Sequence, residues 1–327
     1  MPAPDSPPRL GVISNPHSGH NRRGLEAVSA LLAGAHGVHH VVTRDPEQLA
    51  ATLAQFARDG VDTLAVNGGD GSLARVVGLL VERSPFTSMP LVCALPGGTS
   101  NVTAADTGMR GGLPDALARL LAWRRGEAGE VRRIVRPVIG VRGADGRALG
   151  HGFIFGAGAV VDGIEYWNRR VKAHGPRGDA GPGLALARTL WGMLRGHEGF
   201  AEPLRARITE ASGAPLDGEF RLIVASALER LFLGIHPFCD EGTGRLLFTA
   251  VERRAPHFLR SLPPLLAGRR THRMTPANGY HSHRIDALGL DFDGVFTLDG
   301  ELYRSTDAPR PLHLAVAGEV RLLGLPR

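Results

Sequence analysis

An aspartate set among glycines is the first place where this sequence could do chemistry. Asn67-Gly68-Gly69-Asp70-Gly71-Ser72 places two side-chain-free residues side by side, so backbone N–H groups can approach a phosphate closely. A helix beginning near Ser72 points its positive end at the same spot. An acid there would repel phosphate unless a metal ion or an acceptor hydroxyl lay between them. Taken alone, Gly-Asp-Gly is most often a tight turn with the aspartate as helix N-cap. Two further glycine turns carry amides and hydroxyls: Asn15-Pro16-His17-Ser18-Gly19, and Pro96-Gly97-Gly98-Thr99-Ser100-Asn101. Far along the chain, Asp299-Gly300-Glu301 offers a carboxylate that could accept a proton. Asp-Gly is also the strongest short hairpin signal, and a hairpin could present Glu301 to a cleft.

The elements around these residues explain how they could meet. Leu10–Ser14 is a short apolar run ending in Asn-Pro, a buried strand entering a loop. A helix is expected from about Arg22 to Leu32, and strands at Val38–Val42, Asp62–Val66 and Pro90–Leu95. Asp45-Pro46 reads as an N-cap with proline in the first turn, with Leu49, Leu53 and Phe56 following at helical spacing. Leu73, Val76, Val77 and Leu80 mark one face of another helix. Repeated strand–loop–helix units imply parallel strands with right-handed crossovers. Asn15, Thr43, Gly68–Ser72 and Gly97–Asn101 all follow carboxyl ends of strands, the edge where open parallel sheets bind ligands.

Beyond about Arg132 the pattern changes to short, apolar, turn-bounded segments: Val135–Val141, Gly152–Phe155, Leu204–Thr209, Phe220–Ala225, Arg245–Val251 and Leu290–Phe296. They imply an antiparallel sandwich or barrel. An insertion, Ile164–His197, looks partly helical at Leu184–Leu194, and Leu312–Leu325 resembles one or two more strands. The fold class expected is therefore α/β plus all-β. A doubly wound parallel sheet over residues 1–130 precedes an antiparallel β-sandwich over 131–310, with a nucleotide cleft between them. Residues 311–327 form a strand segment that could return to the first domain.

Composition narrows the class. The 327 residues suit two cores rather than one. Lys172 is the sole lysine, a bias that reads as genomic rather than functional. Cys93 and Cys239 form neither a disulfide framework nor metal-ligand spacing, which fits a reducing cytoplasm. Met1–Pro8 lacks the apolar stretch of a signal peptide, and no run approaches the ~20 apolar residues of a membrane span. Membrane contact is expected to be peripheral, at the inner face. Nucleic-acid binding has no motif or aromatic platform to support it.

The order Asn-Pro-x-Ser-Gly, Gly-Gly-Asp-Gly-Ser, Pro-Gly-Gly-Thr-Ser-Asn and late Asp-Gly-Glu resembles the diacylglycerol kinase catalytic family, which includes bacterial lipid kinases, sphingosine kinases and ceramide kinases. The resemblance implies a kinase that uses ATP and Mg2+ on a lipid hydroxyl. It implies that Asn15, Ser18 and Gly19 lie beside the nucleotide and that Thr43 closes the pocket. Asn67, Gly68, Gly69, Asp70, Gly71 and Ser72 would bind the phosphates, with Gly97, Gly98, Thr99 and Asn101 opposite. Asp70 would organise magnesium through the nucleotide, and Glu301 would take the hydroxyl proton. Diacylglycerol, ceramide and a sphingoid base are the candidate acceptors. Ser72 replaces the usual threonine and keeps the hydroxyl. Val102 stands where many relatives have aspartate, an acid that sphingosine kinases also lack. A structural metal near Asp240–Leu246 is not expected, because that stretch carries extra residues. Two other readings remain: a NAD kinase, which shares a Gly-Gly-Asp-Gly loop, and a nucleotide-binding regulator without catalysis. A homodimer is left open.

Other features are weaker. Arg253–Arg284 holds seven arginines and no acid; it reads either as a surface for anionic headgroups or as a core helix with a basic solvated face, interrupted by Pro263-Pro264. His39-His40 and His281-Ser282-His283 have no nearby carboxylate in sequence and read as surface residues rather than metal ligands. Gly156-Ala157-Gly158 lacks the rest of a dinucleotide fingerprint. In the family the comparable stretch lines the lipid cleft, which makes Asp162 a candidate substrate-side acid.

Overall fold

The computed structural model describes residues 9–19, 21–127, 129–166, 203–211, 213–231, 234–238 and 241–326. The chain divides into two compact units, Met1–Val138 with Ala317–Arg327, and Ile139–Val316.

The first unit is an α/β layer structure. Strands β1 (Leu10–Ser14), β2 (Val38–Val42), β3 (Thr63–Gly68) and β4 (Leu91–Pro96) are parallel in the order β4-β3-β1-β2. Residues 321–322, in the last strand of the chain, pair in parallel with Leu91 and Val92 on the free edge of β4. Every residue of β1 and β3 is buried, as continuous apolar runs covered on both faces should be. The covering helices are α1 (Asn21–Ala33), α2 (Pro46–Arg58), α3 (Asp70–Arg83), α4 (Val102–Asp106) and α5 (Leu113–Arg124). The Asp45 side chain caps α2 by accepting the Gln48 N–H at 2.8 Å, with Pro46 in the first turn. Leu49, Leu53 and Phe56 face inward from α2, and Leu73, Val76, Val77 and Leu80 from α3. The short helix α4 is held from behind by Arg136, whose Nε and a terminal nitrogen each lie 3.0 Å from Asp106 Oδ2.

The second unit is antiparallel. Strand β5 (Arg132–Arg142) enters it at Ile139 and pairs with β6 (Ala148–Gly152). Then follow β7 (Ile154–Gly158), helix α6 (Ala159–Tyr166), β8 (Leu204–Glu210), β9 (Leu216–Ser226), β10 (Leu246–Glu252), helix α7 (Phe258–Leu266), β11 (Tyr280–Ile285), β12 (Ala287–Phe292), β13 (Val295–Leu298), β14 (Glu301–Arg304) and β15 (Leu312–Gly324). The long strand β9 changes partner along its length. Residues 216–220 pair with β8, and residues from 220 onward pair with β10, with β7 on the other edge. A partner switch of this kind lets a sheet turn a corner into a second layer. Phe155, Phe296 and Tyr303 form a stack across β7, β13 and β14, with successive ring centroids 5.4 Å apart.

Several sequence boundaries are corrected here. Gly152–Phe155 is not one strand: β6 ends at Gly152, Phe153 bends, and β7 begins at Ile154. Leu290–Phe296 likewise straddles β12 and β13, with the bend at Asp293-Gly294, a turn pair inside an apolar run. Leu312–Leu325 is a single strand, and Pro263-Pro264 lie inside α7 rather than ending it. Both prolines lie beyond the first turn, so each removes an N–H that would donate to the carbonyl four residues back. Helices α5 and α6 and strand β11 were not read from sequence. The Leu184–Leu194 helix and Asp240 lie outside the described residues.

Candidate active site

The three glycine turns of the first unit are tied into one another by short polar contacts. The carboxylate of Asp70 opens α3 and reaches the start of α4: Oδ2 accepts the Val102 N–H at 3.1 Å and Oδ1 the Thr103 N–H at 3.0 Å. A carboxylate across a helix N-terminus satisfies two of the donors that a helix leaves unpaired and is favoured by the helix dipole. Asp70 is thus a cap, but of α4 rather than of its own helix, whose N-cap position is Gly69. Val102 contributes its backbone N–H to this bridge.

Asn101 closes the second turn. It adopts a left-handed conformation (φ +50°), its Oδ1 accepts the Gly98 N–H at 2.8 Å, and its Nδ2 donates to the Gly98 carbonyl at 3.0 Å. The first turn docks through Asn15, whose Nδ2 donates to Ser72 Oγ at 2.8 Å, and through Ser18 Oγ, 3.4 Å from the same hydroxyl. The Thr99 hydroxyl lies against Gly19, where a Cβ would come within 2.7 Å of it. Ser18, Gly19, Ser72 and Thr99 therefore gather around Gly68–Gly71. In the first turn of α3, Ser72 and Leu73 donate to the Gly69 carbonyl, leaving the Asp70 and Gly71 N–H groups as the leading donors of the helix.

Two expected contact residues are placed differently. Asn67 is fully buried; its Nδ2 donates to Ser14 Oγ at 3.0 Å, and its carbonyl accepts from Asn15 N and Asn21 Nδ2, both at 3.0 Å. Thr43 is buried too, its N–H donating to the Ser14 carbonyl at 3.0 Å. Both belong to the floor beneath the turns. Sequence reading missed three members of that floor: Ser14, Asn21 and His40. Ser14 Oγ is 2.9 Å from His40 Nε2, and burial holds the His40 imidazole below its ordinary range, so it is neutral at pH 7. A serine ending an apolar strand opposite Asn67 was the available signal. Asn21 Oδ1 and Asn67 Oδ1 are buried without a hydrogen-bond partner. Beside the turns, a small cavity opens among Val66, Gly68, Asp70, Leu95, Asn101 and Ala104.

In the second unit, Asp299 and Gly300 form the two-residue turn between β13 and β14, with φ +47° and +88°, as a type I′ hairpin requires. The Asp299 carboxylate accepts the Phe153 N–H at 2.9 Å (Oδ2) and the Ile154 N–H at 2.9 Å (Oδ1), pinning the hairpin to the start of β7. Glu301 begins β14 half-buried, and the Tyr303 hydroxyl donates to its Oε2 at 3.3 Å. Asp162 lies in the first turn of α6, also half-buried. Contrary to the sequence reading, His281 and His283 are neither surface residues nor without carboxylates. They sit in β11, His281 Nε2 2.9 Å from Glu252 Oε1 and His283 Nε2 2.9 Å from Glu210 Oε2. Glu252 comes from β10, the strand paired with β11, and Glu210 from β8, which is not paired with it; both are out of reach of local spacing. Hydrogen bonding to Glu210 raises the His283 pKa.

The donor set in the first unit suits a phosphate chain: backbone N–H groups at a helix start, three hydroxyls and one amide, with Asp70 the sole acid of the three turns. Among the described residues no group of three His, Cys, Asp or Glu side chains could hold a metal. A divalent cation fits here only with anionic ligand oxygens completing its shell, Asp70 being the one carboxylate at hand.

Residues 9–132 match the diacylglycerol kinase catalytic domain. Over 114 residues the chain is 29% identical to an Enterobacter sp. (strain 638) protein named probable lipid kinase YegS-like, a stretch covering 35% of this chain and 36% of that protein. The match thus spans about a third of that relative. Among solved structures, a candidate diacylglycerol kinase from Bacillus anthracis str. Sterne superposes with a TM-score of 0.64 at 17% identity, covering 100% of this chain and 97% of the other. A diacylglycerol kinase from the same strain gives 0.58 at 16% identity, covering 98% and 97%. The fold is shared along the chain, and its segment 9–132 belongs to the diacylglycerol kinase catalytic-domain family.

Proposed function

We propose that this chain is a lipid kinase that transfers the γ-phosphoryl group of ATP to a hydroxyl of a membrane lipid: diacylglycerol, ceramide or a sphingoid base. The observation that carries the reading is the Asp70 bridge to Val102 and Thr103, which binds two glycine turns into one donor surface within the segment that matches the kinase domain. The N–H groups of Asp70 and Gly71 and the hydroxyls of Ser18, Ser72 and Thr99 hold and orient the phosphates. Asp70 would hold magnesium bound with the nucleotide, an ion that would supply neutralisation of phosphate charge. Glu301 accepts the proton of the lipid hydroxyl, which makes that oxygen the better nucleophile. Tyr303, donating to Glu301 Oε2, positions the carboxylate. Asp162 faces the acceptor lipid.

The test is transfer from labelled ATP with magnesium to a lipid panel in mixed micelles, with NAD as a parallel acceptor. Label in lipid supports the reading. Label in NAD alone, or ATP binding without transfer to any acceptor, defeats it.

A further inference from the structure

Helix α7 turns Ser261, Leu262 and Leu265 inward, and Leu265 joins a small core with Val251, Ala255, Met274 and Tyr280. Its opposite face departs from what water favours. Leu259, Arg260, Pro263 and the C-cap residue Ala267 are all exposed, and their three- and four-residue spacing puts them on one stripe. A solvated helix face ordinarily carries polar and charged residues. Here Arg260 is the only charge on the stripe, and Leu259 is 43% exposed, among the few large apolar side chains so open.

The charge flanking the stripe has one sign. No Asp or Glu occurs between Glu252 and Asp286. Arg253, Arg254, Arg269, Arg270 and Arg273 are exposed around the helix. Carboxylates from outside the segment hold three arginines: Glu219 pairs with Arg253 at 2.9 Å, Glu252 with Arg254, and Glu241 with Arg270. No carboxylate among the described residues pairs with Arg260, Arg269 or Arg273. The stem of the helix is fixed by Phe258, whose ring lies 5.2 Å from the Arg221 guanidinium carbon.

We infer that the outer face of α7, with Arg260, Arg269 and Arg273, docks on an anionic lipid bilayer. Leu259 and Pro263 enter the headgroup layer, while the arginines meet lipid phosphates, an arrangement in which apolar burial and charge attraction add. Charge complementarity selects this occupant, because a stripe whose one charge is Arg260, flanked by Arg269 and Arg273 and opened by a leucine, matches an anionic interface. The inference deepens the lipid-kinase reading, since an acceptor embedded in a membrane must be reached there, and it is tested separately from it.

The test is co-sedimentation of the full chain with phosphatidylcholine vesicles, with and without phosphatidylglycerol, at increasing salt. The protein should pellet with the anionic vesicles only, and less as salt rises. Each arginine neutralised should weaken partitioning about fivefold. Arg260→Ser, Arg269→Ser and Arg273→Ser combined should therefore lower it on the order of 100-fold, with an unchanged melting curve. Leu259→Ser should lower it several-fold. Equal binding to both vesicle types, or undiminished binding by the triple variant, overturns the inference. So does a Leu259→Ser variant that dissociates an oligomer while vesicle binding persists, because the face then joins protein copies. Phosphorylation of a dispersed short-chain lipid should proceed equally in wild type and triple variant; loss in the variant would put the arginines in the reaction itself and overturn docking as their role. Anionic vesicle binding without lipid phosphorylation would remove the kinase reading and leave the surface standing.

Discussion

Gly98 packs so tightly on Gly69 that a Cβ built on Gly98 would stand 2.3 Å from the Gly69 Cα. The two glycine turns that read as separate phosphate loops are therefore in direct backbone contact, and the missing side chain serves this contact before it serves any ligand. Because the obstructing atom is backbone, Gly98→Ala cannot be absorbed by a rotamer change. The variant should lose about 1–3 kcal/mol of stability and bind ATP at least tenfold more weakly, read by urea unfolding and by nucleotide titration. Gly24→Ala is the control: that glycine lies in α1 with nothing within 4 Å of a new Cβ. It should gain up to about 1 kcal/mol and leave ATP binding unchanged. Normal ATP affinity in Gly98→Ala would mean that the contact does not shape the nucleotide surface.

The Asp70 bridge makes a different claim on the same surface. Asparagine has one acceptor oxygen, so Asp70→Asn can keep either the Val102 or the Thr103 N–H bond but not both. Leaving a partly buried N–H without its charged acceptor should cost about 1–3 kcal/mol as well as most turnover. The measurement is unfolding free energy beside kcat. Unaltered stability with lost turnover would assign Asp70 to the ligand alone and strip it of its bridging part.

The parallel half of the fold was legible because its signals are local. Strand β2 falls on Val38–Val42 as its apolar run indicated, and Asp45-Pro46 caps α2 as the dipeptide suggests. The antiparallel half was legible in class but not in boundaries. The bend between β12 and β13 is made by a single Asp293-Gly294 pair, too brief to interrupt an apolar window. The polar floor was not legible at all. Ser14, Asn67 and His40 meet through strand register, and register is a property of pairing, not of neighbouring letters. Glu210 was hidden from His283 because it comes from β8, a strand not paired with β11.

At the Asp-Gly-Glu hairpin, position and chemistry can be separated. The Asp299 carboxylate accepts the backbone N–H groups of Phe153 and Ile154, whereas Glu301 carries the proposed proton transfer. Glu301→Gln should leave unfolding unchanged within about 0.5 kcal/mol while removing most of kcat. Asp299→Ala should cost about 1–3 kcal/mol and lower kcat through misplacement of Glu301. Tyr303→Phe should lower kcat modestly with KM for ATP unchanged, because it acts on the carboxylate and not on the nucleotide. Full activity in Glu301→Gln would end its assignment as the base.

The His283–Glu210 pair sets a pH dependence whose sign is fixed by its geometry. Both Glu210 oxygens lie within hydrogen-bond distance of His283 Nε2, at 3.0 and 2.9 Å, and this contact raises the folded-state pKa of His283. The unfolded imidazole titrates near 6.5. Below that value both states are protonated and the pair contributes its full stabilisation. As pH rises through the folded value the proton is lost and the contribution goes with it. Stability should therefore fall between about pH 6 and pH 8, by no more than about 1 kcal/mol because both side chains remain partly open to solvent. Glu210→Gln, which keeps a hydrogen-bonding oxygen but removes the charge, should flatten that slope. Urea unfolding across the range, wild type against variant, reads the difference. A slope of equal size in both proteins would locate the titration elsewhere.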